Sequence, residues 1–159
     1  MELSSAIIGG VCLILFILPI YLLNKSGVQK EKRRLNAMLA LGEKYGLKLT
    51  TTDGWNGYTI GLDEHAGKLI YVKSTDEDQR EILIDLNDIR QCNIVNTPRE
   101  IKSKSGTQRI VDRLELQFLY KKPETAPVLM EFYDGRKQFQ LSGELQMVEK
   151  WAKIIRQTI

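Results

Sequence analysis

Histidine occurs once in these 159 residues, as His65, and cysteine only twice, as Cys12 and Cys92. His65 sits in a polar turn with no second ligand at metal spacing, so it reads as solvated, and no His-based nucleophilic set can be assembled around it. The two cysteines cannot bridge, because one lies in an apolar run and the other in a strand-like segment of a polar domain. That agrees with a reducing compartment. Glycines are scattered singly, without a phosphate-cradling loop. Paired carboxylates exist at Asp63/Glu64 and Asp76/Glu77/Asp78, but they stand in turn-like segments where nothing apolar perturbs them. Asp76-x-Asp78 lacks the spaced ligands of a calcium loop. The expectation is a chain that is not an enzyme and needs no metal or cofactor.

Charge is missing altogether from Ala6 to Leu23, AIIGGVCLILFILPIYLL. Eighteen residues at ~1.5 Å each approach the ~30 Å hydrocarbon core of a bilayer, and Leu3, Ser4 and Ser5 can extend the run. A buried core helix would keep a polar stripe, and a cleaved leader would want basic residues ahead and a small-x-small site behind. Only Glu2 is charged ahead of it, and Tyr21-Leu22-Leu23-Asn24-Lys25 closes it. Residues 1–24 are therefore expected to be a single transmembrane anchor, with Pro19 tolerated near its end and Tyr21 at the interface. Ser5, Gly9 and Gly10 give it a small-residue face where another helix can approach.

Lys25, Lys30, Lys32, Arg33 and Arg34 follow directly. This bias is expected to place the N-terminus outside and the remainder in the cytoplasm. Five of the 23 basic residues fall between Lys25 and Arg34, and two of the 20 acidic ones precede Leu35, so eighteen of each sign remain. The excess positive charge is juxtamembrane, where each basic residue gains about 1 kcal/mol from anionic headgroups. A nucleic-acid partner would need a basic face on the domain itself, and none is expected.

Residues 25–46 read as a basic juxtamembrane helix, Val28–Tyr45, stopped at Gly46. Its stripe of Leu35, Met38, Leu39, Leu41 and Tyr45 is expected to pack on the domain behind it rather than lie on the membrane. From Gly46 the period becomes two. Strands are expected at Leu47–Thr52, Asn56–Asp63, Lys68–Lys73, Glu81–Leu86, Ile89–Asn96, Ile110–Tyr120, Pro127–Tyr133 and Lys137–Leu141. Asp53-Gly54, Ala66-Gly67, Ser74-Thr75-Asp76, Ser105-Gly106 and Asp134-Gly135 supply turn signals, the last that of a hairpin. Ser142 can cap a final helix in which Leu145, Val148, Trp151, Ala152 and Ile155 recur on one face.

Two segments stand out as contact candidates. Thr97–Arg109 carries Arg99, Lys102, Lys104 and Arg109 against Glu100 alone, and reads as a mobile loop or as a contact for anionic lipid or an acidic partner. Asp53-Gly54-Trp55-Asn56-Gly57-Tyr58 sets Trp55 and Tyr58 in a glycine-rich turn, either packed over the domain or presented to a partner.

Thr59-Ile60-Gly61-Leu62-Asp63, leading into Lys68-Leu69-Ile70-Tyr71-Val72, and then Glu81 to Ile89, the long Leu114–Tyr120 strand and a helix holding Trp151, resemble the bacterial pleckstrin-homology-like architecture over Asn56–Ile159. The resemblance implies an α+β chain in which residues 47–159 form an antiparallel β-barrel of about seven strands, closed by the C-terminal amphipathic helix. It implies a binding module without catalysis, with Trp151 plugging one end. Eukaryotic relatives hold phosphoinositides on basic residues of the first hairpin loop. Here that loop, Asp63 to Lys68, is acidic on balance and would repel them.

These readings converge on a non-catalytic, membrane-tethered interaction module, an accessory or scaffold subunit of an inner-membrane protein complex with a membrane-protein partner. The alternative is a sensor of anionic lipid or envelope stress that uses the 97–109 segment and the juxtamembrane cluster. A third class is a regulatory domain that takes a small ligand in the barrel mouth.

Overall fold

The computed structural model describes residues 29–74, 79–103, 106–138 and 140–159. The charge-free run, with Ser5, Gly9, Gly10 and Cys12, lies outside the described residues. Among them, no helix is long and apolar enough to cross a membrane.

The described chain is α+β, with two antiparallel sheets and two helices. Helix α1 covers residues 29–44. Strands β1 (Thr51–Trp55), β2 (Tyr58–Asp63), β3 (Lys68–Ser74) and β4 (Gln79–Asp85) make one meander, in the order β1-β2-β3-β4. A 3₁₀ turn at Leu86–Asp88 then leads to β5 (Ile89–Ser103), β6 (Gly106–Tyr120) and β7 (Val128–Asp134), the second sheet. Helix α2 (Glu144–Thr158) follows. Two separate sheets take the place of the expected barrel.

The main core lies between the sheets and under α2. Alternating Leu114, Leu116 and Phe118 of β6 meet Ile60, Leu62, Leu69 and Ile84 of the first sheet, and Val148, Trp151, Ala152 and Ile155 of α2 close over them. Leu145, expected on that apolar face, is exposed instead. A second cluster holds α1 on the outer face of the first sheet, where Met38 packs with Leu47 and Ile70. Leu49 is wedged here. A Cβ at Gly42 would stand 2.9 Å from Leu49 Cγ, and one at Gly61 would stand 2.8 Å from Leu49 Cδ1. Leu49 fits between helix and strand because neither position carries a Cβ. The expected packing of α1 on the domain is observed, on a narrower stripe, since Leu39 and Tyr45 are exposed.

Three turns differ from the sequence reading. Asp53-Gly54 does not turn; it lies inside β1, and residues 47–50 form no strand. The reversal comes at Asn56 (φ 36°) and Gly57 (φ 91°), two successive positive φ values that fit a tight hairpin joining Trp55 to Tyr58. Asp134-Gly135 opens no second strand, and the expected Lys137–Leu141 strand is absent. The Asp134 carboxylate accepts bonds from Arg136 N, Nε and Nη2, while Gly135 N donates to Asp112 O. These contacts turn the chain away from a ladder. Gly143, not Ser142, caps α2, and Ser142 N donates to Glu144 Oε2 at 2.6 Å.

The largest departure is at 97–109. It is no loop: β5 and β6 stay paired in register from Pro98↔Val111 to Ser103↔Gly106. Beyond Arg113 no third strand accompanies them, because β7 pairs only with Arg113–Phe118. The result is a two-stranded arm, set off from the sheet by a bulge at Thr97/Pro98. Pro98 is tolerated because β5 is an edge strand that loses no ladder bond there.

Candidate interaction surface

The seam between the sheets is polar where it runs along β7. Lys73 Nζ lies 2.9 Å from Glu131 Oε1, both well buried, and Tyr58 Oη donates to the same oxygen at 2.6 Å. Tyr71 Oη donates to Glu131 O at 2.6 Å, and Trp55 Nε1 to Phe132 O at 3.0 Å. Glu115 lies opposite Glu131 across the β6–β7 ladder, with Arg113 Nη1 4.0 Å away. Burial pushes the Glu115 carboxyl above the usual range, against the pull of Arg113, and the neighbouring Glu131 and Asp134 add to the rise. Around these groups lies a cleft of about 220 Å³, lined by Tyr71, Lys73, Arg80, Arg113, Glu115 and Glu131 among others. The Lys73–Glu131 pair joins the two sheets.

Trp55 and Tyr58 belong to this seam. Tyr58 is fully buried, and Trp55 stacks on Phe132 with ring centroids 4.6 Å apart. Of the two readings of that aromatic turn, packing is observed for Tyr58, while Trp55 is packed on Phe132 but half-buried. Cys92 is buried too, its thiol pushed up to about 11 by burial and only partly offset by Arg156. Among the described residues no cluster of His, Cys, Asp and Glu could hold a metal ion.

The basic residues lie elsewhere, toward one end of the fold. Lys30, Lys32, Arg33 and Arg34 occupy the first turns of α1, all exposed but the half-buried Arg34. Glu31 in the same turns lines a cavity of about 290 Å³ with Trp55, Asn56, Ser142 and Gly143. Trp55 in turn holds the end of β7, and Gly135 just beyond β7 bonds to Asp112 at the root of the arm. The α1 start and the arm root, some 65 residues apart in sequence, thus share one end of the domain. On the arm, Arg99 pairs with Asp112 (3.2 Å) and Arg109 with Glu100 (3.1 Å), and both guanidinium groups are open to solvent. The backbone of Lys102 lies in β5, whereas its side chain and the whole of Lys104 lie outside the described residues.

Sequence reasoning missed the seam. Lys73, Glu115 and Glu131 sit in three different strands, and no spacing rule links them.

No family model matches the chain, and no curated protein or solved structure matches it. The expected identity, a pleckstrin-homology-like protein with one transmembrane helix, is thereby corrected. No comparison supports the family, the strands form two separate sheets, and no described helix can span a membrane.

Proposed function

We propose that this chain is a non-catalytic interaction module held at a membrane, an accessory or scaffold subunit of a bacterial inner-membrane complex, with its folded part on the cytoplasmic side. The observation that carries the reading is the arm. Among the described residues of 98–109 none belongs to either apolar core, and an uncovered two-stranded ribbon is marginal in water. A fold that extends two 15-residue strands past the end of their sheet is suited to offer them to something outside itself. Lys73 and Glu131 of the seam are paired with one another, which argues for a structural role there and against acid–base chemistry. The charge-free run from Ala6 to Leu23, followed by Lys25 to Arg34, supports the tether and its orientation. Tethering raises the effective concentration of the domain against membrane partners, so a weak contact suffices.

The test is to solubilise tagged full-length protein from native membranes in mild detergent and identify what accompanies it by mass spectrometry. A stoichiometric membrane-protein partner is expected. Protein that comes through alone at its native level removes the subunit reading.

A further inference from the structure

We infer that the β5–β6 arm, together with the first turns of α1, docks on an anionic lipid surface. The inference rests on the tether reading, and sharpens it by giving the arm a target.

Four features favour lipid over an acidic protein surface. The arm root and the start of α1 share one end of the domain, linked through Trp55, the end of β7 and Gly135. Residue 29, the first described residue of α1, lies six residues beyond Leu23, the end of the charge-free run. Six residues reach at most about 22 Å, so that end of the domain stays close to wherever the run is held.

One face of the arm also sets an apolar side chain beside a cation. Residues alternate faces along a strand, and the register sets Arg99 opposite Ile110 and Ile101 opposite Gln108 on one face, with Arg109 opposite Glu100 on the other. Ile101 is 42% exposed and shares its face with Arg99, as an interfacial contact needs. One of the arm's cations is also easily redirected: Arg99 pairs with the half-buried Asp112, whereas Arg109 is held by an exposed pair with Glu100. Such an exposed pair is weak in water, whereas guanidinium groups form forked bonds to phosphate.

The experiment uses the full chain with bilayers of phosphatidylcholine alone, or with about 30% phosphatidylglycerol, and reads amide hydrogen exchange. Expected is several-fold slower exchange at Arg99–Ile101 and Thr107–Ile110 in the anionic bilayer. The effect should vanish in about 1 M salt and in R99Q/R109Q, while exchange in α2 stays unchanged and reports an intact fold. An I101S variant with native charge should lose part of the protection.

Equal exchange in the two bilayers overturns the inference. So does protection that appears only when a co-purified protein is present, which would make the arm a protein contact. Flotation with neutral vesicles at high salt reports the tether separately. Failure to float there, with salt-sensitive and arginine-dependent flotation on anionic vesicles, would end the tether reading and leave the arm's target standing.

Discussion

The indole nitrogen of Trp151, in the middle of α2, donates to Asp53 Oδ2 of β1 at 2.9 Å, and Lys150 Nζ reaches the same oxygen at 2.6 Å. One carboxylate thus fixes the C-terminal helix to the first strand, 98 residues away. Trp151 is fully buried, so its N–H has no water to fall back on. Asp53→Ala should destabilise the fold by about 1–3 kcal/mol, the cost of an unsatisfied buried donor. Lys150→Ala, which removes only a half-exposed partner, should cost about 0–1 kcal/mol. Urea unfolding of both variants checks the ordering, and equal losses would mean that the indole bond contributes nothing.

Glu115 makes the seam sensitive to pH. Its carboxyl is raised by burial, so the folded state holds a proton that the unfolded chain releases at lower pH. Stability contributed by this group is present below the ordinary glutamate range and is lost as pH rises through the raised value. Glu115→Gln removes the charge in both states. It should be more stable than the native protein at neutral pH, with the gap closing toward acid pH. Thermal midpoints across that window decide the matter, and a gap that widens on acidification contradicts it.

Helix α1 is held to the domain by few side chains, chiefly Met38 against Leu47 and Ile70. Met38→Ala should cost about 2–5 kcal/mol locally. The loss should appear as faster amide exchange over residues 29–44, with α2 protected as before. Global unfolding at the same midpoint as a core substitution such as Phe118→Ala would show that α1 is not a separate unit.

Cys92 should be inert in the folded state. With its thiol near 11, only about one molecule in a thousand is thiolate at pH 8, and the side chain is also sealed from reagent. In a Cys12→Ser background, maleimide labelling should be negligible until denaturant is added. Rapid labelling of the native protein would be evidence against this buried placement.

How much of this was legible depended on where each residue's partner lay. Leu114, Leu116 and Phe118 alternate because one face of β6 is buried and the other is not, and that contrast is written locally. Val148, Trp151, Ala152 and Ile155 declare the inner face of α2 for the same reason. The arm gave no such contrast. Both faces are wet at the described side chains 98–101 and 106–109, so the period-two pattern disappears and a strand looks like a loop. Asp53-Gly54 and Asn56-Gly57 are rival turn signals three residues apart, and only the pairing of Trp55 with Tyr58 chooses between them. Lys73 and Glu131 meet only once two sheets have formed, beyond the reach of any local pattern.

Because β5 and β6 stay paired from the core out to Ser103 and Gly106, with a bulge at Thr97/Pro98 between the two regimes, the molecule separates its ribbon from its chassis. Everything beyond that joint can be rewritten without disturbing the side chains that hold the domain together. If the arm carries the docking proposed above, grafting a different hairpin past Pro98 would send the protein to another surface while leaving the same fold to carry it.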